Sequence, residues 1–173
     1  MDGARLSHFA AVQHGNLRGG FSETLAMREI TLNEAGGYYL EELSVGMSAE
    51  FAKTITDADI AMFGAASGDN QAVHFDEEYA SKTIFKGRIA HGILSAGIIS
   101  AALGTRLPGP GTVYMGQTLK FKAPVRAGDT VRARVTVKEI VPEKKRVVLE
   151  TVCAVKGSPV LEGEATVMVP SKG

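Results

Sequence analysis

Two residues of the sequence have side chains and a spacing suited to proton transfer. Asp69 and His74 lie five positions apart within residues 67–76. Gly68 and Asn70 interrupt this segment, so it is neither a plain helix nor a plain strand. A carboxylate and an imidazole that hold one water between them can divide the work of general base and general acid. We therefore predict that Asp69 and His74 carry the chemistry of this protein.

The elements around this segment must position the two side chains. Residues 49–55 read as a strand, and Thr56 followed by Asp59 resembles a capping box that starts a short helix through Phe63. Asp76 is a suitable cap for another short helix, with negative charge in its first turn.

A central helix is expected from His91 to Gly104, where the sequence is apolar all round and rich in Ala, Gly and Ser. A helix that is apolar on every face is buried on every face. Gly104 is a plausible C-terminal cap for it.

Strands dominate the rest of the chain, where the period changes to two after residues 108–111. We expect strands over residues 112–125, 129–141, 147–155 and 160–169. Alternation in the second of these predicts a sheet with one solvent-exposed face. Cys153 reads as a small buried residue on a strand. One buried helix with several long antiparallel strands favours an α+β fold, a curved sheet wrapped around the helix.

Composition limits the function classes. The 173 residues are 45% apolar and 22% charged with zero net charge, which is typical of one globular domain and argues against a nucleic-acid binder that relies on phosphate neutralisation. A single cysteine excludes an intramolecular disulfide and a cysteine-based metal cluster. No apolar run reaches the roughly 18 residues of a membrane helix, and no signal-peptide core is present. We expect a cytoplasmic protein that does not bind membranes.

Residues 1–36 differ from the rest, and the segment 13–21 within them is glycine-rich with weak periodicity. We expect an extension that is loosely ordered or packs on a partner subunit, followed by one domain over residues 37–173. His8 and His14 have no third ligand type nearby, so no metal site is expected there.

Several short motifs follow one another between about residues 45 and 170. They are Ser67-Gly68-Asp69, His74-Phe75-Asp76, Ala90-His91-Gly92, Leu107-Pro108-Gly109, Phe121-Lys122-Ala123-Pro124-Val125, Gly128-Asp129 and Gly163-Glu164-Ala165. In this order and spacing they resemble the MaoC-type, (R)-specific enoyl-CoA hydratases, which have the hot-dog fold. The single-domain length is similar to that of the short bacterial hydratases that supply polyhydroxyalkanoate synthesis.

The resemblance implies an activity and a set of site residues. It implies reversible addition of water to trans-2-enoyl-CoA, giving (R)-3-hydroxyacyl-CoA, without a metal or redox cofactor. Asp69 and His74 would form the catalytic dyad, the backbone N–H of Gly92 would face the thioester carbonyl, and Ser100 would line the site. It also implies a homodimer or higher oligomer, with sheets joined edge to edge and active sites at the interface.

The sequence departs from the family at Gln71-Ala72, where Asn-Pro is usual. The spacing from Asp69 to His74 is kept, so we expect the dyad to persist. Proline fixes φ and alanine does not, so the loop is expected to be more mobile. His91 is interpreted as orienting the start of the helix rather than as a catalytic group.

Two alternatives stay open on the residues. A hot-dog thioesterase would hydrolyse the same kind of thioester, but such enzymes usually rely on an acidic residue on or near the buried helix, and residues 93–103 contain none. The second alternative is a non-catalytic module that binds acyl thioesters. The only feature that supports it is Gln71-Ala72 in place of Asn-Pro. The sequence determines neither the length of the acyl chain nor whether that chain arrives on CoA or on an acyl-carrier protein.

Overall fold

The computed structural model of the chain describes residues 36–173. The predicted extension, with His8 and His14, lies outside these residues except for Gly36. A short 3-10 helix, Leu40–Glu42, comes first. The helices and strands that follow are β1 (Ser48–Thr54), α1 (Asp57–Ser67), α2 (Ala72–Phe75), α3 (Glu77–Ser81), α4 (Gly92–Thr105), β2 (Val113–Phe121), β3 (Thr130–Val141), β4 (Arg146–Val155) and β5 (Ser158–Met168).

The five strands form one antiparallel sheet in the order β1-β3-β4-β5-β2. One face of this sheet packs against α4, mainly through β3 and β1. The predicted alternation in β3 is confirmed, since its inward-facing residues Val131, Ala133, Val135 and Val137 are buried. The sheet and its central helix confirm the predicted α+β, hot-dog arrangement.

Helix α4 differs from its prediction in two ways. It continues through Gly104 to Thr105 and ends at Arg106, so Gly104 is not its cap. Its last carbonyl groups accept from later backbone N–H groups instead, including Leu103 from that of Gly109 at 2.9 Å. Burial on every face is also wrong for this single chain, because the sheet covers one side and Ile93 is 52% exposed.

Helix α1 is longer than predicted. The capping box at its start is confirmed, with Thr56 Oγ1 accepting from the N–H of Asp59 and the Asp59 carboxylate accepting from that of Thr56. The helix continues beyond Phe63, through the buried Gly64, to Ser67, and Gly68 supplies the left-handed residue that ends it.

Strand β2 is shorter than predicted and ends at Phe121. Beyond it, the N–H groups of Lys122 and Ala123 both point to the carbonyl of Val160, at 2.9 and 3.4 Å. Pro124 has no N–H to donate, so the ladder cannot continue through it.

Cys153 is confirmed as a fully buried residue of β4. Its Sγ lies 3.6 Å from the carbonyl oxygen of Ser95 on α4. Burial raises the pKa of this thiol to about 12. Among the helices of residues 36–173, none has the length and apolar character needed to cross a membrane.

Candidate active site

Asp69 lies on the short loop between α1 and α2. Gly68 ends α1 with a φ of 79°, a conformation that glycine adopts without steric cost. The N–H of Asp69 donates to Ser67 Oγ at 3.2 Å, and the N–H of Gln71 reaches Asp69 Oδ1 at 3.4 Å. The Asp69 side chain is 53% exposed. Local contacts therefore hold this carboxylate only loosely.

His74, in α2, has one ring nitrogen committed to the backbone. Its Nδ1 lies 2.8 Å from the carbonyl oxygen of Ile89. Because a carbonyl only accepts, Nδ1 carries the hydrogen and Nε2 of the neutral ring carries the lone pair. That Nε2 lies 4.0 Å from Asp69 Oδ2. Two acceptors at this separation are too far apart for a direct hydrogen bond but can both accept from one water.

His91 completes the cluster in a way that the sequence did not predict. It precedes α4, but its side chain makes no capping hydrogen bond to that helix. Instead its Nε2 lies 2.9 Å from the backbone carbonyl oxygen of Asp69. Its ring centroid lies 3.8 Å from that of His74. Membership of the Ala90-His91-Gly92 motif was the available signal, but it did not reveal which residue His91 contacts.

Asp69, His74 and His91 are also the group of described residues that could offer one ligand atom each to a metal ion, with these three atoms within 4.8 Å of one another. The two imidazole rings stack with an interplanar angle of 30°. Stacked rings direct their in-plane lone pairs side by side, whereas a metal needs them to converge. One nitrogen of each ring also contacts a carbonyl. The cluster suits proton transfer better than metal binding.

A cavity of about 410 Å³ opens at the N-terminal end of α4. His91 lines this cavity, whereas Asp69 and His74 are not part of the cavity wall. His91 contacts both of these residues. Gly92 lies in the wall, and a Cβ there would be 2.7 Å from the Phe121 ring. A first-turn N–H has no acceptor within its own helix, so that of Gly92 is available to a ligand. The lining residues are Phe85, Ile89, Ala90, His91, Gly92, Ile93, Ser95, Phe121, Lys122, Ala123, Pro124, Val125, Val160 and Leu161.

Ser100 is not brought together with the dyad within one chain. It lies on α4 eight residues after Gly92, which is about 12 Å along the helix axis. Its side of the helix, shared with Ile93 and Gly97, is exposed. Ser100 is also absent from the wall of the cavity.

The sequence matches a family model described as the MaoC like domain over residues 39–158. That range covers the dyad, Gly92 and Ser100. The chain belongs to the MaoC-like family. A relative in Rhodospirillum rubrum, named (R)-specific enoyl-CoA hydratase, is 60% identical over 136 residues, which are 79% of this chain and 94% of that protein.

Solved structures of MaoC-like relatives have the same fold. R-hydratase PhaJ1 from Pseudomonas aeruginosa, in its unliganded form, is 46% identical with a TM-score of 0.74, covering 79% of this chain and 88% of its own. The (R)-hydratase from Aeromonas caviae, described as involved in PHA biosynthesis, is 40% identical with a TM-score of 0.71. The match covers 74% of this chain and 98% of that one.

Proposed function

We propose that this MaoC-like protein is an (R)-specific enoyl-CoA hydratase, a hydro-lyase that adds water reversibly to trans-2-enoyl-CoA. The observation that carries the proposal is the pairing of Asp69 Oδ2 with the lone-pair nitrogen of His74 at 4.0 Å. Relatives at 60 and 49% identity bear the names (R)-specific enoyl-CoA hydratase and 3-hydroxybutyryl-CoA dehydratase. The product would be (R)-3-hydroxyacyl-CoA.

The proposed reaction begins with a water that donates one hydrogen to Asp69 and one to His74. His74 Nε2 takes a proton as the water oxygen forms its bond to the β-carbon, and Asp69 orients that oxygen. The electrons of the double bond move toward the thioester oxygen, which gives an enolate. The imidazolium of His74 then returns the proton to the α-carbon. Water is consumed, and no metal or redox cofactor takes part.

Gly92 is proposed to stabilise the negative charge on the thioester oxygen. Its N–H belongs to the first turn of α4, where the helix dipole adds to the effect of the donor. Its position in the cavity wall beside His91 supports this role, since His91 contacts the dyad. One donor of this kind is typically worth about 3–4 kcal/mol of the barrier.

A homodimer is part of the proposal. Strand β2 is a nine-residue edge of the sheet, and its exposed apolar residues are Val113, Tyr114, Met115 and Phe121. A long apolar edge strand is a template for pairing with another chain. Pairing of β2 with a second copy would also cover the exposed side of α4, which contacts β2. Ser100 would then line a site shared by both copies.

Substrate and location complete the proposal. The acyl group is proposed to arrive on CoA, and the product to supply polyhydroxyalkanoate synthesis, the process in which the Aeromonas caviae relative is involved. A cytoplasmic location is proposed, where a free thiol such as that of Cys153 stays reduced.

Purified protein mixed with crotonyl-CoA tests the proposal. Hydration removes the ultraviolet absorbance of the conjugated enoyl thioester without releasing a thiol, and chiral analysis should find (R)-3-hydroxybutyryl-CoA. Release of free CoA would identify a thioesterase instead, although α4 has no acidic residue to support one. Unchanged absorbance with crotonyl-CoA and with a longer enoyl-CoA would contradict the proposal.

A further inference from the structure

We infer that His91 is a positioning residue that sets where the Asp69 carboxylate stands relative to the Gly92 N–H. The inference rests on the proposed function, because it assigns those two groups to the water and to the thioester oxygen. His91 is adjacent to Gly92 in the chain and hydrogen-bonded to Asp69 across 22 residues. His91 thus connects the residue proposed to orient the water, Asp69, with the residue proposed to bind the thioester oxygen, Gly92.

The hydrogen bond to Asp69 determines the tautomer of His91. The carbonyl of Asp69 can only accept, so His91 Nε2 carries the hydrogen. His91 Nδ1 is buried and has no hydrogen-bond partner. A hydrogen on Nδ1 would be a buried donor without an acceptor, which is costly. The Nε2–H tautomer is therefore the one that this environment favours.

Aromatic packing fixes the plane of the His91 ring. The residue is 2% exposed. Its ring centroid lies 3.8 Å from that of His74, 4.8 Å from that of Phe63 and 5.8 Å from that of Phe75. With rings on several sides, the imidazole cannot turn away from Asp69 without repacking. It is a rigid donor to the exposed loop that carries Asp69.

The Asp69 loop needs such an anchor. The other hydrogen bonds of Asp69 are local, within residues 67–71, and are as long as 3.2 and 3.4 Å. The bond from His91 is shorter and comes from a different element of the fold. A displacement of about 1 Å in a catalytic group can cost about 100-fold in rate. Loss of this bond should therefore lower kcat much more than it changes KM.

A pair of variants of similar length separates the hydrogen bond from packing. His91→Gln places an amide N–H near the position of Nε2, whereas His91→Met has similar length and no donor. We expect His91→Gln to keep kcat within a small factor of wild type. His91→Met should lose about 10- to 100-fold in kcat with little change in KM. Circular dichroism and Tm confirm that each variant is folded.

Two outcomes of this pair would overturn the inference. Wild-type kcat in both folded His91→Gln and folded His91→Met would mean that the donor to Asp69 has no role. Equal loss in both would mean that the imidazole itself is required. If the wild-type protein does not hydrate enoyl-CoA at all, the proposed function fails first.

A tautomer measurement on the wild-type protein needs no variant and no activity. Nitrogen-15 NMR of the histidine side chains should find His91 with its hydrogen on Nε2 and His74 with its hydrogen on Nδ1. A hydrogen on Nδ1 of His91 would remove the bond to Asp69 and overturn the inference. This readout also holds if His91→Met fails to fold.

Discussion

At the residue scale, two backbone carbonyl groups determine which imidazole nitrogens are available for chemistry. Ile89 accepts from His74 Nδ1, and Asp69 accepts from His91 Nε2. The lone pair of His74 is thereby directed at the Asp69 carboxylate, while that of His91 is buried. The two stacked histidines thus present different ring nitrogens, because His74 bonds a carbonyl through Nδ1 and His91 bonds one through Nε2.

The types and spacing of Asp69 and His74 could be read from the sequence, since the motif is local. Their separation of 4.0 Å could not, because it depends on the left-handed turn at Gly68 and on a bond from His74 to Ile89, 15 residues away. The contact from His91 to Asp69 was missed for the same reason. It exists only once α4 packs beside the loop.

Cys153 gives a pH-dependent prediction at this scale. Burial raises the pKa of its thiol from 9.0 to about 12. Between these values the unfolded chain loses this proton before the folded chain does, so the free energy of unfolding falls as pH rises. Cys153→Ala should show a smaller fall. Urea unfolding at several pH values between 9.0 and 12 measures both slopes, and equal slopes would contradict the assignment.

At the element scale, the loop from Asp69 to α2 carries Gln71-Ala72, which the sequence pattern indicates as a departure from the family's usual Asn-Pro. Gln71 precedes α2 with φ −60° and ψ 133°, and Ala72 is the first helical residue. An extended residue followed by the first position of a helix is a geometry that accepts proline. The fold therefore tolerates the family's proline even though the sequence lacks it.

Ala72→Pro should stabilise the protein by about 0.4–1 kcal/mol, because it restricts the unfolded chain at a compatible position. Thermal unfolding measures the change. Ala61→Pro is the matched control, since Ala61 is also an alanine but lies inside α1, where proline costs about 3 kcal/mol. A lower Tm for Ala72→Pro would show that α2 needs a geometry that proline cannot adopt.

Elements with a regular pattern were predicted well and their ends were not. Alternation in β3 is a local property, and the strand was placed within one residue of its observed start, Thr130. The end of α4 depends on bonds from residues 106–109 to its last turn, and the end of β2 on Val160. The contact with Val160 is tertiary and has no local signature, whereas Pro124 was a local signal that the predicted end at Val125 did not use.

At the scale of the whole molecule, a single chain leaves apolar surface uncovered. Strand β2 is an edge, and Met115 on it is 47% exposed. The side of α4 that carries Ile93 and Ser100 is also exposed. The apolar sequence of α4 predicted burial on all sides, and a second copy pairing through β2 would supply the missing cover.

Met115→Asp should weaken the proposed dimer, because it places a charge on the pairing edge. Met62→Asp is the matched control, since Met62 is 62% exposed but lies on helix α1 and not on a strand of the sheet. Analytical ultracentrifugation over a range of concentrations should find the first variant more monomeric than wild type and the second unchanged. An equal effect of both variants, or a monomeric wild type, would contradict the proposed interface.

The dyad is the central claim, and the rate of crotonyl-CoA hydration by three single variants tests it most directly. Asp69→Asn and His74→Gln should each lose about 10²- to 10⁴-fold in kcat, because each removes a group that holds or takes a proton. Asp76→Asn is the control, since Asp76 caps α3 through the N–H of Tyr79 and asparagine caps equally well. It should keep wild-type activity. Wild-type kcat in folded Asp69→Asn or His74→Gln would contradict the account.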